Sequence, residues 1–320
     1  MSDTSLTSNS GTPEQAGTDG IVLGENQYGK AEVRLVKVDR DQPRHRITDL
    51  SVTSQLRGDF TAAHTEGDNS PVVATDTQKN TIFAFAKDGI GSPEEFAIRL
   101  AEHFTSSFEW VSGGRWEVQE FTWEHIPTAL SADAEDGEHN HSFVKAGTET
   151  RTALIQRDGE ETSVLAGLQD LSVLKSTGSE FHGFPRDRYT TLAETTDRIL
   201  ATAVTARWRY ADTQIDFNAV YDDVRRLLLE TFADVHSLAL QQTLFEMGRR
   251  VLRAHPEVAE IRLSMPNLHH FLVDFEPFGL QNPNEVFYAA DRPYGLIEGE
   301  VRREGVAPEP RAWAGVAGFC

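Results

Sequence analysis

Apolar and polar positions along the chain change period several times, and each change marks a predicted element. Tyr28 to Asp39 alternates, with Val33 and Leu35 on one face and Arg34 and Val36 on the other, which predicts a strand. Arg46 to Asp59 predicts a second, entered through the turn-like Asp41-Gln42-Pro43. Ser70 to Thr81 then passes from a short β-branched run into a helix-like pattern carrying Ile82, Phe83 and Ala86, with Thr75 and Asp76 as the expected caps. Ser92-Pro93-Glu94-Glu95 predicts a second helix start with a capping box, followed by a stripe at Phe96, Leu100, Phe104 and Phe108. Trp116 to Ile126 and His141 to Arg157 are β-rich, with an acidic turn-prone loop at Asp133 to Glu138 between them.

The same order then recurs. Thr162 to Thr177 and Arg198 to Tyr210 predict strands, joined by the long connection Gly178 to Asp197. Asp216 and Ser237 are the expected caps of two helices, the first carrying Phe217, Val220, Val224, Leu227 and Leu228, the second Leu244, Met247, Val251 and Leu252. Glu260 to Met265 and His269 to Phe275 predict two further strands. The chain thus reads β-β-α-α-β-β twice, an α+β pattern of two antiparallel sheets, each backed by a helix pair. Sheets covered on one face leave edges to protect, and oligomerisation that closes edges into a barrel is the expected remedy. Residues 21–158 are assigned to the first module and 159–303 to the second. Residues 1–20 lack apolar periodicity and are expected to be a disordered tail, and 304–320, rich in Pro, Gly and Ala, a mobile one.

Composition narrows the function classes. The chain has 320 residues, 39% hydrophobic and 25% charged, which is globular. Its net charge of −20 disfavours nucleic acid and anionic membranes as partners, so single cations near candidate sites become informative. The one cysteine, Cys320, excludes a disulfide framework or cysteine metal site within one chain. No apolar run approaches the roughly 20 residues that span a bilayer, and a cytoplasmic location is expected.

Several residues have types and positions suited to chemistry. Lys30, after Gly29, is a solvated surface charge or a lysine acting as a base. Thr75 and Asp76 lie at a helix start whose free N–H groups favour anions, and Leu240 and Gln241 lie at another, which the repeat places in parallel with the first. Arg198 is suited to clamp a planar anion, and Phe181, in the glycine-flanked segment Gly178 to Gly183, to stack on a flat ligand or to join a small satellite core. Asn267 and His269 share a strand face, where His269 is a packed or a catalytic histidine. His139 and His141 have the spacing of a strand metal pair, but there is no HExxH motif and no cysteine pair, so no metal is expected. These residues converge on a site for a small flat anion and do not name it.

Longer stretches do. Tyr28-Gly-Lys30, Asp68 to Thr81, His139-Asn-His-Ser-Phe143, Leu171 to Phe184, Asp187 to Leu192, Asp197 to Leu200 and Met265-Pro-Asn-Leu-His269 occur in order from residue 28 onward, and together they resemble the urate oxidase (uricase) family. The resemblance implies a tunnelling fold of two β-β-α-α-β-β modules, and a homotetramer with sites at subunit interfaces. It implies oxidation of urate by dioxygen and water to 5-hydroxyisourate and hydrogen peroxide, without metal or organic cofactor. By the same resemblance Arg198 and Gln241 grip the purine edge and Phe181 stacks under it. The backbone at Leu240 and Asp76 bonds its heteroatoms, Asn267 holds oxygen or water over the ring, and Lys30, Thr75 and His269 relay protons. The chain departs from many relatives at Leu240, often a valine, and at His182 and Pro185. An alternative is a metal-dependent purine or pterin hydrolase or lyase on this fold, with His139, His141 and His269 as ligands.

Overall fold

A computed structural model of the protein describes residues 20–129 and 137–319. The expected N-terminal tail before residue 20, most of the acidic loop and Cys320 lie outside the described residues. The strands form one antiparallel sheet in chain order: β1 (Tyr28–Asp39), β2 (Arg46–Gly58), β3 (Val111–Pro127), β4 (Glu138–Asp158), β5 (Glu161–Lys175), β6 (Leu200–Tyr210), β7 (Val258–Leu272) and β8 (Phe287–Arg302). A short α1 (Thr61–Thr65), then α2 (Thr75–Asp88) and α3 (Pro93–Ser107) separate β2 from β3, while α4 (Phe217–Asp234) and α5 (Leu240–Ala254) separate β6 from β7. The β-β-α-α-β-β order therefore occurs twice, but on one continuous sheet rather than two. The cause is local: Asp158 pairs with Glu161 across a two-residue turn at Gly159, φ 59°, which forces β4 and β5 together.

Alternation gives the sheet two unlike faces. Leu50, Val52, Trp116, Val118, Ile155, Trp208, Ile261 and Leu263 point towards the helices and are fully buried. They meet Ile82 of α2, Phe96, Leu100 and Phe104 of α3, Val224 and Leu228 of α4, and Met247 and Val251 of α5 in one core. Emptying a site such as Trp208 to alanine costs about 3–5 kcal/mol. The intervening residues carry ion pairs on the other face: Glu117 with Arg115 and Arg207, Arg209 with Glu260, and Arg262 with Glu300.

Three expectations change. Glu260 to Met265 and His269 to Phe275, expected as two strands, merge in the single strand β7, which runs through Pro266 as far as Leu272 and aligns Pro266 with Leu296 of β8. β8 is a strand that periodicity missed, its pattern interrupted by Pro293, Gly295 and Gly299. The C-terminal segment, expected to be mobile, packs on the polar face. Trp313 is buried against Leu154 and Leu165, its Nε1 donates to Glu260 Oε1 at 2.7 Å, and Gln156 Nε2 donates to the carbonyls of Arg311, Ala312 and Ala314.

Candidate active site

The predicted site residues fall into two groups. The first forms where β1 meets the start of α2. Tyr28 OH donates to Val73 O at 3.1 Å, and its ring meets Phe60 edge-on at 4.7 Å. Buried Gln78 ties the same turn to β2, accepting from Ser54 Oγ at 3.0 Å. Tyr28 and Val73 each stand two residues before a predicted site residue, so this clamp sets the Lys30 end of β1 against the start of α2, where the charge of Lys30 reaches Asp76. A Cβ on Gly29 would fall 1.8 Å from Ser54 O, so only glycine permits so close a strand approach there. Directly after Lys30 the β1–β2 register shifts, with Glu32 at φ 53°. Such a bulge re-aims the side chains around it.

Thr75 and Asp76 are the first two residues of α2 and do not cap it; Ala74 occupies the cap position and makes no side-chain bond. The cause is that the helix starts one residue earlier than the Thr-Asp signal suggests. Thr75 is half-buried, and its hydroxyl has no partner among the described residues. Asp76 accepts from Lys79 and Asn80, and its pKa is held low by the Lys79 bond and charge, with a smaller contribution from the charge of Lys30.

The second group forms where the β5–β6 connection meets the start of α5. Ser179 and Ser237 form a bridge between the two segments, with Glu180 N–H donating to Ser237 O at 2.7 Å and Ser237 N–H to Gly178 O at 2.9 Å. Ser237, an expected cap, instead accepts from Thr243 Oγ1 at 2.8 Å, and Ala239 takes the cap position of α5. Leu240 and Gln241 are thus the first two residues of α5, and their N–H groups have no partner within the helix. The expected parallel between the two helix starts fails in element order, because α2 is the first long helix of its module and α5 the second.

Arg198 lies at the centre of this group. Its guanidinium carbon is 5.2 Å from the Phe181 ring centroid, and Nε donates to Ser179 Oγ at 3.2 Å. Neither Nη has a partner among the described residues, and no carboxylate lies within ion-pair distance. Burial draws its pKa down from the ordinary arginine value. Phe184 stacks behind Phe181 at 5.0 Å and 15°. His269, half-buried on β7 and stacked on Phe271 at 5.6 Å, has its pKa lowered by burial first, then by the charges of Arg198 and His270. Asn267 precedes it on β7, aligned with Thr202 of β6 and Gly295 of β8.

One chain does not unite the two groups. Lys30 is on β1 and Arg198 leads into β6, five strand spacings away, about 24 Å of sheet. Nor do the histidines of the metal alternative converge. His139 and His141 lie together on β4, with rings 4.4 Å apart, but His269 is on β7, and among the described residues no cluster of metal-ligating side chains occurs. Sequence reasoning assigned no role to Tyr28, Gln78, Ser179 or Phe184. Tyr28, Gln78, Ser179 and Phe184 all lie inside the stretches that carry the family resemblance, which was the one signal available for them.

Comparison with known proteins gives a consistent result. The uricase family model matches residues 26–156 and 164–298. Uricase from Arthrobacter globiformis is 60% identical over 309 residues, covering 97% of this chain and 99% of its own length. Uricase from Dictyostelium discoideum is 37% identical over 284 residues, covering 88% and 97%. The crystal structure of Arthrobacter globiformis uricase superposes with a TM-score of 0.85 at 63% identity, covering 90% of this chain and 97% of that one. A thermostable variant of urate oxidase from Bacillus sp. TB-90 shares the fold at 24% identity, with a TM-score of 0.76 over 88% of this chain and 99% of that one.

Proposed function

The chain belongs to the uricase family, and on that premise we propose that it oxidises urate with dioxygen and water to 5-hydroxyisourate and hydrogen peroxide. Urate gives up two electrons to dioxygen, water supplies the hydroxyl that bonds to carbon, and the displaced protons leave with peroxide. An electron-rich purine anion can pass electrons to oxygen directly, so the reaction asks the protein for orientation and proton transfer rather than for a metal or organic cofactor.

Arg198 carries this conclusion. In a protein of net charge −20, it is a half-buried guanidinium without a carboxylate partner among the described residues, set over an aromatic ring. Such a group favours a flat anion, gripped by the two Nη groups and stacked on Phe181. Gln241 and the N–H of Leu240 then take the purine edge at the start of α5. Asn267 holds oxygen or water over the ring. Thr75, with Asp76 beside it, contacts the opposite edge and passes a proton to Lys30, since a hydroxyl alone is a poor base. His269 serves the water or peroxide side.

This assignment requires the Lys30 group of one protomer to face the Arg198 group of another. We therefore assign the protein as a homotetramer whose sheets pair at their β1 and β8 edges into closed barrels, with each site at a subunit interface. The test is to follow urate's ultraviolet absorbance and peroxide release after treatment with a strong chelator. Decay at the untreated rate is expected. Decay that stops, or that returns only on adding metal, overturns the proposal.

A further inference from the structure

We propose that Ser179 is a positioning residue that aims the Arg198 guanidinium at its anionic ligand while leaving its charge unneutralised. The proposal rests on the urate-binding role given to Arg198.

Ser179 is fully buried and holds Arg198 at two points. Its carbonyl accepts the Arg198 backbone N–H at 2.9 Å, and its Oγ accepts from Nε at 3.2 Å. With Nε and the backbone both fixed, rotation of the planar guanidinium is restricted, and both Nη groups are left without a partner among the described residues. Ser179 is aligned with Ser237 through the backbone groups of Gly178 and Glu180 on either side of it, and Ser237 accepts from Thr243 in the first turn of α5. The segment is therefore keyed to the helix start that carries Leu240 and Gln241, and the Ser179 hydroxyl is the side-chain link from that segment to the guanidinium.

The choice of a hydroxyl matters. Other arginines in this protein have the same nitrogen held by a carboxylate: Arg209 Nε by Glu260 at 2.7 Å and Arg225 Nε by Glu149 at 2.8 Å. A carboxylate there orients the side chain but cancels its charge. A serine supplies the same acceptor geometry with no charge, so Arg198 remains available to an anion. Alanine at this position would remove the acceptor and leave the guanidinium free to turn over the Phe181 ring.

The experiment is steady-state kinetics on the full-length oligomer for the wild type, Ser179→Ala, Ser179→Cys, Ser179→Thr and Ser179→Asp, with urate as substrate. Because the serine acts on binding, KM should rise roughly tenfold or more in Ser179→Ala while kcat stays within about threefold. Cysteine, similar in shape but a poor acceptor, should fall between serine and alanine. Threonine, which keeps the hydroxyl, should restore most of the affinity, and aspartate should give the largest rise in KM although it is a better acceptor. An unchanged KM in both Ser179→Ala and Ser179→Cys, or a loss confined to kcat, overturns the proposal. If Ser179→Ala fails to fold, the order of cysteine, threonine and aspartate decides. Calorimetric titration with urate under anaerobic conditions separates the two readings. A wild type that binds but does not oxidise urate defeats the activity and leaves Ser179 to be judged on Kd, which should weaken in the same order.

Discussion

Thr75 opens α2 without capping it, so its hydroxyl is not committed to the helix and is available to a ligand. If it relays a proton while other groups grip the purine, Thr75→Ala should lower kcat more than tenfold, with a smaller change in urate affinity. Equal turnover in that variant would remove Thr75 from the relay. His269 permits a second test. Burial and the neighbouring Arg198 charge lower its pKa from the ordinary 6.5, so the ring is neutral at neutral pH and gains its proton only in more acid solution. If neutral His269 is required, the His269 limb of the kcat/KM profile, which reports the free enzyme, should lie below pH 6.5. A limb centred above that value would exclude His269 as its source. The same residues show how much of the site was legible. Types and helix-start positions marked Thr75, Asp76, Arg198 and Gln241 as candidates, but Ser179 and Phe184 gained roles only from contacts, because a serine or a phenylalanine in a loop has no period to betray it.

Helices were most legible where a cap uses side chains close in sequence. Ser92 Oγ accepts from Glu95 N–H at 3.1 Å while Glu95 Oε2 accepts from Ser92 N–H at 2.8 Å, and Asp216 accepts from Ala219 N–H at 3.0 Å, all as the sequence predicts. Periodicity failed where long-range pairing overrides local signals, as at Pro266 in β7, across the interrupted pattern of β8, and at Trp313, whose partner Glu260 lies 53 residues away. The contacts between modules were equally invisible. Glu94 at the start of α3 is fully buried and ion-paired with Arg151 of β4 at 2.7 Å, and Arg151 also donates to Asn218 of α4. Burial outweighs the Arg151 charge and raises the Glu94 pKa to about 6, from an ordinary 4.5. The folded state thus holds this proton more tightly than the unfolded chain, so the contribution is fully present below pH 4.5 and is lost as pH rises through 6. Relative to Glu94→Gln, the wild type should lose about 2 kcal/mol between pH 4 and 7. Denaturant midpoints of both proteins at the two pH values measure this, and a gap that does not change with pH would show that Glu94 does not titrate in this window.

At the scale of the whole molecule, the length of the sheet decides what one chain can do. Eight strands in chain order set the Lys30 corner on edge strand β1 and the Arg198 corner at β6, about 24 Å of sheet apart, a span that loop adjustments do not close. The proposed pairing between protomers would bring the corners together and would protect two exposed edges at once. This leads to a test that needs no structure of the assembly. Lys30→Ala and Arg198→Ala should each be inactive alone, because every interface then lacks one group. Mixed oligomers, made by co-expressing the two variants in equal amounts, contain some interfaces where an intact Lys30 from one protomer faces an intact Arg198 from its neighbour. With random assembly, each site has even odds of receiving either group intact, so roughly a quarter of wild-type activity should return. A site built within one chain can never regain both groups by mixing. No recovery in oligomers shown by mass spectrometry to contain both variants would therefore place Lys30 and Arg198 in a site of one and the same chain and overturn the interfacial assignment.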